Sequence, residues 1–122
     1  MKKILLIDDQ ASFCFFVKKN LETLGEFKVS VCCEGARAVS HARQLQPDLI
    51  LLDVFLPGIS GPEIAEQLKS AKETCHIPIV FLTAVATEQE TEEKGNLIGG
   101  QYVVAKPVQT DRLLQVIDAA TR

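Results

Sequence analysis

Five short apolar runs, each followed by a segment of helical period, constrain this sequence more than any other feature. The runs are Lys3 to Asp8, Phe27 to Cys32, Asp48 to Asp53, Ile77 to Thr83 and Gln101 to Ala105. Their apolar residues are largely continuous rather than alternating, as expected of parallel strands covered by helices on both faces. From Ala11 to Leu24 the residues Phe13, Phe16, Val17, Leu21 and Leu24 recur at spacings of three and four. That spacing predicts a helix with one apolar face, from which Lys18, Lys19 and Glu22 fall away. The same reasoning predicts helices near Gly35 to Leu45, Pro62 to Ala71, Thr87 to Leu97 and Thr110 to Ala120. Gly25, Pro47, Gly61, Pro78 and Gly99-Gly100 stand at the boundaries as turn or stop residues. The pattern is (βα) repeated five times, an α/β fold with a parallel sheet and right-handed crossovers.

The whole chain sets the bounds. Its 122 residues fit one domain, 1–122, long enough for a continuous core and too short for two. Apolar residues make up 47% and charged residues 24%, the ordinary globular balance. No apolar run approaches the ~20 residues of a membrane span, so a soluble protein with no membrane partner is expected. Asp8-Asp9 ends the first apolar run too early for a signal peptide. Cys14, Cys32, Cys33 and Cys75 form neither a C-x-x-C pair nor a zinc spacing, and are expected to be small buried hydrophobes in a reducing cytoplasm. A formal charge of −3 with no basic stripe argues against direct nucleic-acid binding and for protein partners. No linker or internal repeat suggests an appended output module.

Open parallel sheets bind ligands outside the carboxyl ends of their strands, so the chemistry is expected there. Those ends carry Asp8-Asp9, Asp53, Thr83 and Lys106-Pro107. One aspartate at a strand end is ordinarily a cap or turn former. Three gathered together repel one another and raise each other's pKa unless a cation sits among them. Hard oxygen donors with open positions suit Mg²⁺, which retains waters and uses few carboxylates plus a substrate phosphate.

At these residues the sequence resembles the receiver domains of two-component response regulators, the CheY-like family. The motifs are Ile7-Asp8-Asp9-Gln10, Leu51-Leu52-Asp53-Val54-Phe55-Leu56-Pro57-Gly58 with Gly61, Phe81-Leu82-Thr83-Ala84, and Lys106-Pro107. Each alone is weak; the ordered set, spread over the whole chain, is specific. The resemblance implies a doubly wound, flavodoxin-like five-stranded sheet of order 2-1-3-4-5. It also implies that Asp53 accepts a phosphoryl group from a histidine kinase or phosphotransfer protein. Mg²⁺ would be held by Asp8, Asp9, an Asp53 oxygen and the backbone carbonyl of Phe55. Lys106 would pair with Asp53 at rest and with a phosphoryl oxygen afterwards, and Thr83 would donate its hydroxyl to another. Ala84 would leave the phosphoryl path open, and a cis Lys106-Pro107 bond would aim the amine inward. Such a protein is a switch rather than an enzyme, with slow self-phosphorylation from small donors and slow self-dephosphorylation. It would act alone, as a shuttle between proteins or on a downstream protein target, or as the receiver part of a longer transcriptional or enzymatic regulator.

Four features depart from the family's usual pattern or stand out within it. The position three residues before the lysine, where most receivers place a switch aromatic, is Val103, and the aromatic is Tyr102. A one-residue offset on a strand reverses the side it faces, so the usual switch is expected to be absent or altered. Phe55 and Val85 are apolar where the attacking water is usually bordered, which predicts slow loss of the phosphoryl group. Phe15 lies nearly opposite the apolar face of the first helix and is expected to be exposed, where it could anchor the kinase. The acidic run Glu88 to Glu93 would favour a basic partner, or take part in a homodimer formed on phosphorylation. Two other classes fit less well. Phosphatases of the haloacid dehalogenase type place a second acid two residues after the nucleophile, where Phe55 has no proton to give. A flavodoxin-like cofactor carrier would not present Asp8-Asp9 to a phosphate.

Overall fold

The structure is a computed structural model that describes residues 1–84, 97, 98 and 101–122. Its strands are β1 (Lys2–Ile7), β2 (Phe27–Cys32), β3 (Leu49–Asp53), β4 (Ile79–Thr83), β5 (Leu97–Ile98) and β6 (Gln101–Ala105). Its described helices are α1 (Ala11–Thr23), α2 (Ala38–Leu45, entered through a 3₁₀ turn at Gly35–Arg37), α3 (Gly61–Ser70) and α4 (Thr110–Thr121). The sheet runs β2-β1-β3-β4-β6-β5. Its first five strands in that order are parallel, the 2-1-3-4-5 arrangement expected. The two-residue β5 pairs antiparallel with β6 and was not foreseen. It includes Leu97, the expected last residue of a helix whose remaining residues, like Val85, the acidic run and Gly99-Gly100, lie outside the described ones.

Continuous apolar strands are explained by two cores. Ile4 and Leu6, Leu49 and Leu51, and Val80 and Leu82 face α1 and α4. Leu5 and Ile7, Ile50 and Leu52, and Ile79 and Phe81 face α2 and α3. Fully burying such a side chain is worth roughly 1.5–3 kcal/mol, so every residue of a central strand contributes, whichever face it occupies. This double coverage fixes the strand ends relative to one another. β4 starts two residues later than expected because Ile77 still belongs to the preceding turn, its N–H donating to the Thr74 carbonyl.

The face of α1 differs from expectation. Cys14, Val17 and Leu21 are buried and Phe13 is half-buried, but Phe16 and Leu24 are 49% and 47% exposed. A helix packed on one face of a sheet buries a narrower stripe than its apolar spacing allows. Phe15 is 66% exposed, as predicted. Cys14 and Cys32 are buried as expected, whereas Cys33, just past the end of β2, and Cys75, in the turn after α3, are exposed.

Candidate functional site

Asp8 follows β1 directly and is completely buried. Its place is set from three sides. Its N–H donates to the Cys32 carbonyl at 3.1 Å, its Oδ1 accepts from the Gln10 N–H at 2.9 Å, and its carbonyl accepts from the Cys14 thiol at 3.4 Å. Burial, with Asp8 next in effect, pushes that thiol up to about 12, so Cys14 is a neutral donor beneath the pocket. Asp9, next along, is exposed. Asp53 closes β3 and is buried, with Oδ1 accepting from the Phe55 N–H at 3.4 Å. Oxygens of Asp8, Asp9 and Asp53 all lie within 4.8 Å of one another.

The loop after Asp53 is held tightly. The Val54 N–H donates to Leu82, and the Gly61 N–H donates to the Val54 carbonyl at 2.9 Å. A side chain at Gly61 would run into the Asp53 carbonyl, so only glycine lets α3 begin this close to the acid. Gly58, at φ +83°, makes the preceding turn. Ser60 caps α3 by accepting from the Glu63 N–H at 3.3 Å. Gly58 and Gly61 thus shape the loop beside Asp53. Phe55 itself is 64% exposed.

On the other side, Thr83 closes β4 and is buried, and its carbonyl accepts from the Lys106 N–H at 2.9 Å. The Lys106-Pro107 bond is cis. Lys106 pairs with Asp53, its Nζ 3.5 Å from Oδ1, and in addition donates to Asp8 Oδ2 at 2.8 Å, a partner not foreseen. It also lies 4.5 Å from the centre of the Phe13 ring, a contact the sequence reading missed. The only signal in the sequence was an aromatic four residues after Asp9, within reach of the same strand ends.

Three carboxylates against one ammonium leave an excess of negative charge. Burial, followed by the Asp8 charge, holds the Asp53 carboxyl above its ordinary value, opposed by Lys106 and the Phe55 N–H. The donors are all hard oxygens, partly neutralised, with one side open at Asp9. That set fits a divalent cation such as Mg²⁺ and would poorly suit a soft metal.

The register of β6 decides which residue stands behind Thr83. Val103 pairs with Phe81, and Ala105 with Thr83. Val103 packs into the core beneath α2 and α3, while Tyr102 packs on the α1 and α4 side, its hydroxyl donating to the Ala119 carbonyl at 3.4 Å. The described strand therefore has a valine at the switch position, with its only aromatic on the opposite face.

Comparison with known proteins agrees with this arrangement. The sequence profile of the response regulator receiver domain matches residues 4–118. The phosphate regulon transcriptional regulatory protein PhoB of Rhizobium meliloti is 34% identical over 122 residues; this chain spans all of that match but only about half, 53%, of PhoB. Protein PilH of Pseudomonas aeruginosa is 33% identical over 120 residues, covering 98% of this chain and 97% of PilH. Among solved structures, the receiver domain of a Pseudomonas aeruginosa sensor histidine kinase, with magnesium coordinated in its active-site cleft, superposes with a TM-score of 0.82. It is 27% identical and covers 98% of this chain and 97% of that one. With the fold, the ordered motifs and the gathered acids all in agreement, this chain belongs to the response regulator receiver domain family of two-component signalling.

Proposed function

We propose that the protein is a phosphoryl-accepting switch, modified on Asp53 by a histidine kinase or phosphotransfer protein in the cytoplasm. One observation carries the reading: three carboxylates share a space 4.8 Å across, with the Lys106 ammonium 2.8 Å and 3.5 Å from two of them. Such a cluster is unfavourable unless it holds a cation, and phosphoryl transfer needs both a cation and a positioned ammonium. Asp8, Asp9, an Asp53 oxygen and the Phe55 carbonyl would hold Mg²⁺. When bound, that ion neutralises charge on the pocket and the incoming phosphoryl group.

An Asp53 carboxylate oxygen attacks the phosphorus of a phosphohistidine. A P–O bond forms, the P–N bond breaks, and its electron pair leaves with the imidazole. Lys106 pairs with one phosphoryl oxygen, and the Thr83 hydroxyl donates to another. The Phe55 side chain offers no acid or base to align water, so loss of the phosphoryl group is slow. The acyl phosphate carries about −2 where the carboxylate carried −1, and this change in charge and shape then biases docking on a downstream protein or on a second copy.

The test is incubation with acetyl phosphate and Mg²⁺, followed by intact mass. Wild type is expected to gain one phosphoryl mass and Asp53→Ala none. An unlabelled wild type, or equal labelling of both, would overturn the reading.

A further inference from the structure

We propose that Phe13 is the positioning residue for Lys106, an inference that rests on the function proposed above. The ammonium is almost enclosed, its side chain only 13% exposed. It has three N–H groups and two carboxylate partners, Asp8 at 2.8 Å and Asp53 at 3.5 Å. The Phe13 ring, 4.5 Å away, stands as a third neighbour. The negative face of an aromatic ring attracts a cation without binding it as a competing anion would. That distinction matters because the ammonium must leave one carboxylate for a phosphoryl oxygen as the P–O bond forms. A third carboxylate would hold it back, and water would leave it free to wander. The ring keeps the charge in the pocket while leaving its donors available. Phe13 can do this because α1 starts three residues after Asp8 and Phe13 packs half-buried against the core on its sheet-facing side. The ring is therefore fixed relative to Asp8 by the same short segment.

The experiment compares the full chain with Phe13→Met, which fills the space without a π face, and Phe13→Tyr, which keeps one. Phe13→Met is expected to slow labelling of Asp53 by acetyl phosphate about three- to tenfold, and Phe13→Tyr to stay within about twofold of wild type. In NMR spectra without any phosphoryl donor, the Lys106 methylene protons beside Nζ should show a ring-current shift that persists in Phe13→Tyr and vanishes in Phe13→Met. Equal slowing of both variants, or Lys106 resonances indifferent to the ring, would overturn the proposal. Because the NMR measurement needs no phosphorylation, it decides the Phe13 contact even if wild type accepts no phosphoryl group.

Discussion

Asp53 sits among groups that push its protonation in opposite directions, and the balance has a measurable consequence. Burial and the Asp8 charge raise its pKa above the ordinary 3.8; Lys106 and the Phe55 N–H only partly offset them. A carboxyl with a raised folded-state value stabilises the fold in its protonated form. That contribution is complete below 3.8 and is lost as pH rises through the higher folded value. With divalent ions chelated, wild type should therefore lose stability relative to Asp53→Asn as pH rises through this window, as urea unfolding at several pH values would show. Parallel pH profiles for the two proteins would mean that the Asp53 environment has been misjudged. The same crowding makes Asp8 the seat of Lys106: it is fully buried, so an unneutralised charge there would be the costlier one.

At the scale of elements, α1 does two jobs with adjacent residues. Val17 and Leu21 seal one core, while Cys14 and Phe13 reach the strand ends beside Asp8 and Lys106. Spacing alone places Phe16 and Leu21 on one apolar face, but only Leu21 is buried. Leu21→Ala is accordingly expected to cost about 2–5 kcal/mol in urea unfolding, against about 1 kcal/mol or less for Phe16→Ala. Similar losses would show that α1 packs differently from this description. In β6 the element-level fact is register: pairing Val103 with Phe81 sends Tyr102 to the opposite face. Among the described residues of β6, a valine rather than an aromatic therefore stands on the face behind Thr83.

For the molecule as a whole, the acids impose a cost on the fold that a bound cation should relieve. Any ligand that binds only the folded state stabilises it, by about 2.7 kcal/mol at a concentration 100 times its dissociation constant. Mg²⁺ should raise the urea midpoint of wild type toward that amount, and Asp9→Asn should gain much less. Sodium chloride at matched ionic strength is the control, because general screening would act on both proteins alike. An identical response to the two salts would argue against a specific divalent site.

Much of this was legible in one dimension. Strand identity could be read because double coverage makes each central strand apolar along its length. The gathering of Asp8, Asp9, Asp53, Thr83 and Lys106 followed because a parallel sheet brings all its carboxyl ends to one side. What the linear order could not supply was which of two neighbouring carboxylates an ammonium prefers, whether an aromatic lies over it, how wide a stripe α1 buries, or that Leu97–Ile98 adds an antiparallel edge. Lys106 is 98 residues from Asp8 in sequence and 2.8 Å from it in space. A choice between partners 2.8 Å and 3.5 Å away depends on differences below one ångström, set by packing among α1, β1, β3 and β6 together. Periodicity fixes which way a residue faces along its own element, and only the assembled elements fix what it meets there.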